Sequence, residues 1–191
     1  MRSVSSYCFF RLFYNYKNIS DCGSLTLPAT TLAEGCYSDM FFGCSSLTAA
    51  PALPATTLTK SCYNGMFSGC TSLTQAPALP ATTLASYCYD YMFSCCSSLT
   101  QAPTIRTYTP DLYAYESMLS MYDHDTASWF GKLTTCIWND LTLSEVESMV
   151  LLEYIFAPYN PERYVRISIT CKDGSGIAYY DSGKSSWVFE Y

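Results

Sequence analysis

The stretch CYNGMFSGCTSLTQAPALPATTL, Cys62 to Leu84, decides how this chain is read, because close copies of it lie on either side. The hexamer LPATTL stands at Leu27 to Leu32, Leu53 to Leu58 and Leu79 to Leu84, a period of 26 residues. The period carries whole columns with it: Cys36, Cys62 and Cys88; Tyr37, Tyr63 and Tyr89; Met40, Met66 and Met92; Phe41, Phe67 and Phe93; Cys44, Cys70 and Cys96; Leu47, Leu73 and Leu99. Self-similarity at a fixed period of this size marks a repeat architecture, in which a unit too small to bury its own apolar face shares a core with its neighbours.

The pattern decays outward in both directions. CFFRLFYNYKNIS from Cys8 aligns with CYNGMFSGCTSLT, with Tyr16 at a cysteine position and Ile19 at a leucine position, and reads as a diverged first coil. One further period places Ile105, Ala114, Tyr115, Met118, Leu119 and Tyr122 on the apolar columns, a diverged last coil without the cysteines. Within each unit, Pro51, Pro77 and Pro103 stop any helix in the SLTxAPxLPATT stretch, which is expected to be extended. The CYxxMF stretch is expected to form a short helical turn, since Cys62 and Met66 are spaced i, i+4. Strand, turn and short helix in each unit predict an α/β solenoid, a leucine-rich-repeat-like right-handed coil of about five 26-residue units over residues 1–122.

From about residue 123 the period is lost. Ser144 with Glu147 reads as a capping box opening a helix over 144–156 that ends before Pro158. RYVRISITC, IAYYD and SWVFEY then predict two or three antiparallel strands separated by the turn-rich KDGSG and SGKS. Residues 123–191 are accordingly expected to form a small α+β cap on the array.

Composition narrows the function classes. Apolar residues make up 49% and charged residues 14%, which fits a globular chain. Ten scattered Lys and Arg with a net charge of −6 argue against a nucleic-acid partner. No apolar run approaches the roughly 18 to 20 residues that span a bilayer, and Arg11 interrupts the short apolar stretch at the start, so no signal peptide is recognised there. The first coil has no polar segment before it, leaving two readings: truncation from a longer array, or self-association through that uncapped coil.

The eleven cysteines are expected to be packing residues, reduced and buried, rather than disulfides or metal ligands: there is no CxxC pair and one histidine. No metal and no cofactor are expected. His124, between Asp123 and Asp125, is read as a solvated loop residue, and no nucleophile motif accompanies it, so no catalytic residue is assigned and no enzyme is expected. Asn18-Ile19-Ser20 is a glycosylation sequon at a position expected to be poorly accessible. Paired threonines at 30 and 31, 56 and 57, and 82 and 83 are expected to line the strand side.

At Cys62, Tyr63, Met66, Phe67, Cys70 and Leu73 the chain resembles the BspA-like leucine-rich repeats, whose units run as isoleucine, glycine, two variable residues and AFxxCxxL. Cysteine stands here for the isoleucine and tyrosine for the glycine. The resemblance implies a binding module of a bacterial surface or secreted protein that recognises a protein or glycan through the repeat face. Similar LPATTL repeats of gut bacteria and their phages supply the alternative, a structural or host-recognition component of a virion. The family's glycine column maps onto Tyr37, Tyr63, Tyr89 and Tyr115, expected at or near the surface as a ligand-binding aromatic stripe.

Overall fold

The computed structural model describes residues 4–104, 112–115, 118–119, 122–123, 128–129, 135–138, 141–148, 167–181, 183–184 and 186–191. The 26-residue period is present in it as backbone hydrogen bonding. In the second unit the amides of Gly35, Tyr37, Asp39, Phe41 and Gly43 donate to the carbonyls of Lys60, Cys62, Asn64, Met66 and Ser68, at 2.7–3.1 Å. The intervening amides bond locally: Cys36 to Ala33, Ser38 to Gly35, Met40 to Tyr37, Phe42 to Asp39 and Cys44 to Phe41. Each local bond closes a four-residue β-turn, so the segment is a run of overlapping turns whose alternate amides reach the next unit.

A left-handed residue recurs every fourth position. Positive φ occurs at Gly35, Asp39 and Gly43, at Ser61, Gly65 and Gly69, at Tyr87, Tyr91 and Cys95, and in the first unit at Tyr7, Arg11 and Asn15. These residues are third in the turns Ala33–Cys36, Tyr37–Met40 and Phe41–Cys44 and their equivalents, the position where a type II turn demands φ above zero. At Gly35 and Gly65 a second reason favours glycine as well. A Cβ on Gly35 would run into the ring of Tyr7, and one on Gly65 into the carboxylate of Asp39, because each glycine is roofed by a side chain of the preceding unit.

This geometry corrects the expected fold class. The CYxxMF stretch is not a helical turn, because a residue at φ near +55° every fourth position is incompatible with a right-handed helix. The LPATT stretch is not a strand either. It does alternate, with Pro51, Leu53 and Ala55 inside and Ala52, Pro54 and Thr56 outside, but its neighbours meet only in isolated parallel bridges, Thr26 to Ala52, Thr31 to Thr57 and Thr57 to Thr83. Pro51 and Pro54, like Pro77 and Pro80, remove the amides that a continuous ladder would use. Residues 4–104 contain turns, coil and bridges with no α-helix and no named strand, so the expected α/β leucine-rich-repeat-like right-handed solenoid is not found.

The core of the repeat region is a pair of ring stacks. Phe9, Tyr37, Tyr63 and Tyr89 lie face to face with centroids 5.2, 5.8 and 6.2 Å apart. Phe13, Phe41, Phe67 and Phe93 form the second stack at 5.3, 5.6 and 5.6 Å. Beside them lie the buried methionine, cysteine and leucine columns named above. A buried ring of this kind stabilises by roughly 1.5–3 kcal/mol over its exposed state, and the offset stacking adds a smaller increment.

The C-terminal region holds most of the regular secondary structure. A 3-10 helix spans Leu112–Tyr115. Strands β1 (Tyr122–Asp123) and β2 (Ser128–Trp129) pair antiparallel. Strand β3 (Thr135–Trp138), helix α1 (Leu143–Ser148), β4 (Ile167–Cys171), β5 (Gly174–Asp181) and β6 (Ser186–Glu190) follow. The sheet order is β3-β4-β5-β6, with β4, β5 and β6 antiparallel and β3 parallel to β4. The three antiparallel strands fall on the stretches whose composition announced them; β3 was not expected.

The cap of helix α1 lies two residues earlier than predicted. The reciprocal bonds run from the Thr142 amide to Glu145 Oε2 at 2.7 Å and from the Glu145 amide to Thr142 Oγ1 at 3.0 Å, so Thr142 and Glu145 form the capping box, not Ser144 and Glu147. Leu141 and Val146, at the positions of a hydrophobic staple, are both buried. The β4–β5 turn closes on the same helix end: Asp173 Oδ1 accepts from the Leu143 amide, and Lys172 donates its amide to the Leu141 carbonyl. The stretch predicted as the rest of the helix, 149–156, lies outside the described residues.

Candidate functional site

The tyrosine column is not a surface stripe. Tyr37, Tyr63 and Tyr89 are 1%, 1% and 2% exposed, and both faces of the Tyr63 ring are taken by Tyr37 and Tyr89. The phenol oxygens of Tyr37 and Tyr63 are themselves buried without a hydrogen-bond partner among the described residues. Burial pushes the Tyr37 phenol up to about 12, and that of Tyr63 further in the same direction. These rings have no free face on which a sugar or a partner side chain can stack. The side chain of Tyr115 lies outside the described residues.

The cysteine columns are interior and reduced. Cys36, Cys62 and Cys88, and Cys44, Cys70 and Cys96, are all fully buried. The thiols of the second column act as weak donors to carbonyls of the preceding unit: Cys44 to Phe13 at 3.1 Å, Cys70 to Phe41 at 3.2 Å and Cys96 to Phe67 at 3.1 Å. Burial raises the Cys36 thiol to about 11 and moves those of Cys62, Cys70 and Cys96 higher still, so all are neutral thiols near pH 7. Among the described residues no group of His, Cys, Asp and Glu is placed to hold a metal ion.

Exposed aromatic surface collects instead on the diverged first unit. Tyr7, Phe10, Leu12, Tyr14 and Tyr16 are between 38% and 57% exposed. Tyr7 meets Phe10 edge to face at 5.9 Å, and the Arg11 guanidinium lies 4.8 Å from the Phe10 ring centroid and 4.6 Å from that of Tyr14. Arg11 is anchored by Asp39, Nε to Oδ2 at 3.0 Å, and Tyr14 stacks on Phe42 at 4.9 Å. The backbone places these side chains together: Tyr7 and Arg11 are successive left-handed residues, and Phe10 and Tyr14 occupy columns that hold Ser38 and Phe42 one unit on. The result is a contiguous patch of aromatic rings around one fixed cation.

Sequence reasoning passed over this patch because it looked for the most regular column. The signal was the divergence itself, since aromatic residues in the first unit stand where inner units carry glycine, serine, asparagine or aspartate. Of the other candidates, the paired threonines at 30 and 31, 56 and 57, and 82 and 83 are exposed, with Thr31, Thr57 and Thr83 bridged in register. Asn18 of the sequon is exposed, correcting the expectation that it is poorly accessible. His124 lies outside the described residues. No described helix is long and apolar enough to cross a membrane. No protein-family model, no curated protein and no solved structure matches this chain.

Proposed function

We propose that this chain is a non-enzymatic binding module of a surface or secreted protein, recognising a protein or glycan through the exposed aromatic patch of its first unit. The observation that carries this reading is the cluster of Tyr7, Phe10 and Tyr14 around Arg11, held by Asp39 and Phe42. Aromatic and arginine side chains dominate the energetics of recognition, because they present large area with few rotors and combine an apolar body with a polar edge. An exposed cluster of this kind costs solubility, and occupancy by a ligand offsets that cost. The Asp39 contact orders the guanidinium in advance, which lowers the entropic cost of engaging a partner.

The test is binding of the full chain to glycan and protein arrays, with wild type compared against a Phe10→Ala/Tyr14→Ala variant whose near-ultraviolet circular dichroism matches wild type. Specific binding that falls at least tenfold in the variant supports the reading. Equal binding by both proteins moves recognition off the patch, and absence of specific binding by wild type overturns the proposal.

A further inference from the structure

On the turn side the hydrogen bonds between units run one way, whereas the LPATT side bonds in both senses, Thr48 to Ser20 and Leu58 to Thr83 among them. On the turn side the amides of Phe9, Arg11, Phe13 and Asn15 donate to Cys36, Ser38, Met40 and Phe42 at 2.9, 3.2, 2.9 and 2.6 Å. The second unit donates in the same sense to Cys62, Asn64, Met66 and Ser68, and the third to Cys88, Asp90, Met92 and Ser94. On this side the second, third and fourth units therefore each receive through four carbonyls from the unit before. The equivalent carbonyls of the first unit are those of Cys8, Phe10, Leu12 and Tyr14, and among the described residues none of them accepts a hydrogen bond.

The side chains of that edge match the backbone. Cys8 is exposed, whereas Cys36, Cys62 and Cys88 at the same position under a preceding unit are fully buried. Leu12 is 54% exposed, against 3% for Met40. Phe9 and Phe13 are half-buried: one face of each is stacked, on Tyr37 and Phe41. The edge offers four aligned backbone acceptors and two partly exposed rings.

We infer that the Cys8, Phe10, Leu12 and Tyr14 carbonyl edge is a docking site for a polypeptide segment that presents alternate backbone amides, with apolar or aromatic side chains seated over Phe9, Phe13 and Cys8. The occupant must bring donors, because a second copy of the same edge offers backbone acceptors. Two first units facing each other thus form none of these backbone bonds. A row of N–H groups two residues apart is what the carbonyls of the second, third and fourth units already receive, so the complementary chemistry is displayed three times within the molecule. The inference rests on the binding-module reading and narrows its partner to a polypeptide.

The probe is a synthetic peptide of residues 33–46 with Cys36→Ala and Cys44→Ala, which carries the donor amides of Gly35, Tyr37, Asp39, Phe41 and Gly43. It is added to the full chain while alkylation of Cys8 is followed by mass spectrometry. The expected result is at least a tenfold slowing of Cys8 alkylation at saturating peptide, relieved when the peptide is N-methylated at Tyr37 and Phe41. Unchanged Cys8 alkylation at millimolar peptide overturns the inference, as does equal protection by the N-methylated peptide. Protection by a glycan but not by the peptide also overturns it. The Phe10→Ala/Tyr14→Ala variant keeps all four carbonyls, so retained peptide protection with lost array binding separates failure of the aromatic patch from failure of the edge.

Discussion

Cys8 and Cys62 occupy the same place in their units, and so do Phe13 and Phe67, yet one of each pair meets solvent and the other is sealed. The local backbone is the same in both units, with a left-handed residue every fourth position and alternate amides passed onward. What differs is cover on the receiving edge. Burial in this region is conferred by the neighbouring unit and not by the unit's own sequence, so identical chemistry is core in one place and surface in another.

The sharpest way to break the comparison is to remove a ring from each unit. Phe67→Ala takes a fully buried ring from the middle of its stack and is expected to cost about 3–5 kcal/mol in urea denaturation. Phe13→Ala, with one face already open, is expected to cost roughly half as much, in proportion to the apolar area lost. Equal losses at the two sites would show that the first unit is as well covered as the third.

Gly65→Ala tests the turn chain itself. Its φ of +59° and the Asp39 carboxylate above it oppose a Cβ, and the expected cost is about 1–2 kcal/mol from the left-handed conformation alone. Thr142→Ala removes the donor-acceptor pair at the start of α1 and is expected to cost about 1 kcal/mol, measured by the same denaturation. The Thr142 amide and hydroxyl hold the Glu145 carboxyl below its ordinary value, so this contribution is present above the usual glutamate range and is lost as pH falls through the lowered value.

Alkaline titration sharpens the contrast between the units. An unfolded thiol titrates near 9.0 and the buried Cys36 thiol at about 11. Between these values the unfolded chain releases protons that the folded chain keeps, so stability is full below pH 9 and declines as pH rises toward 11. Cys8 is exposed and is expected to alkylate rapidly in the native state at pH 8, while Cys36, Cys62 and Cys88 react only on unfolding. Mass-spectrometric mapping of the modified cysteines checks both statements.

The columns of inward residues were legible in the sequence because a 26-residue period aligns them regardless of backbone conformation. The backbone was not, for a specific reason. Cys62, Met66 and Cys70 are spaced by four, which over nine residues matches a helix as well as it matches four-residue turns. Glycine at 35, 43, 65 and 69 carried the contrary signal, but Ser61, Tyr87, Tyr91 and Cys95 hold the same left-handed conformation without it and mask the column. In the C-terminal region, alternation and turn chemistry located β4, β5 and β6 directly. TLSE and SEVE are both capping-box strings, and only the packing of Asp173 and Leu141 selects Thr142 over Ser144. The aromatic patch was hidden by a preference for regularity, since exposure depended on which unit lacked a neighbour over it.

The stacked rings also give the protein an optical signature. Tyr37, Tyr63 and Tyr89 lie nearly parallel, with interplanar angles of 11° and 5°, so their transition dipoles couple and excitation of one phenol is shared along the column. The near-ultraviolet dichroism of tyrosine is then expected to contain a coupled contribution from this column that depends on the register between units. A chain that kept its turns but slipped one unit against the next would lose this coupled contribution while its far-ultraviolet spectrum stayed the same.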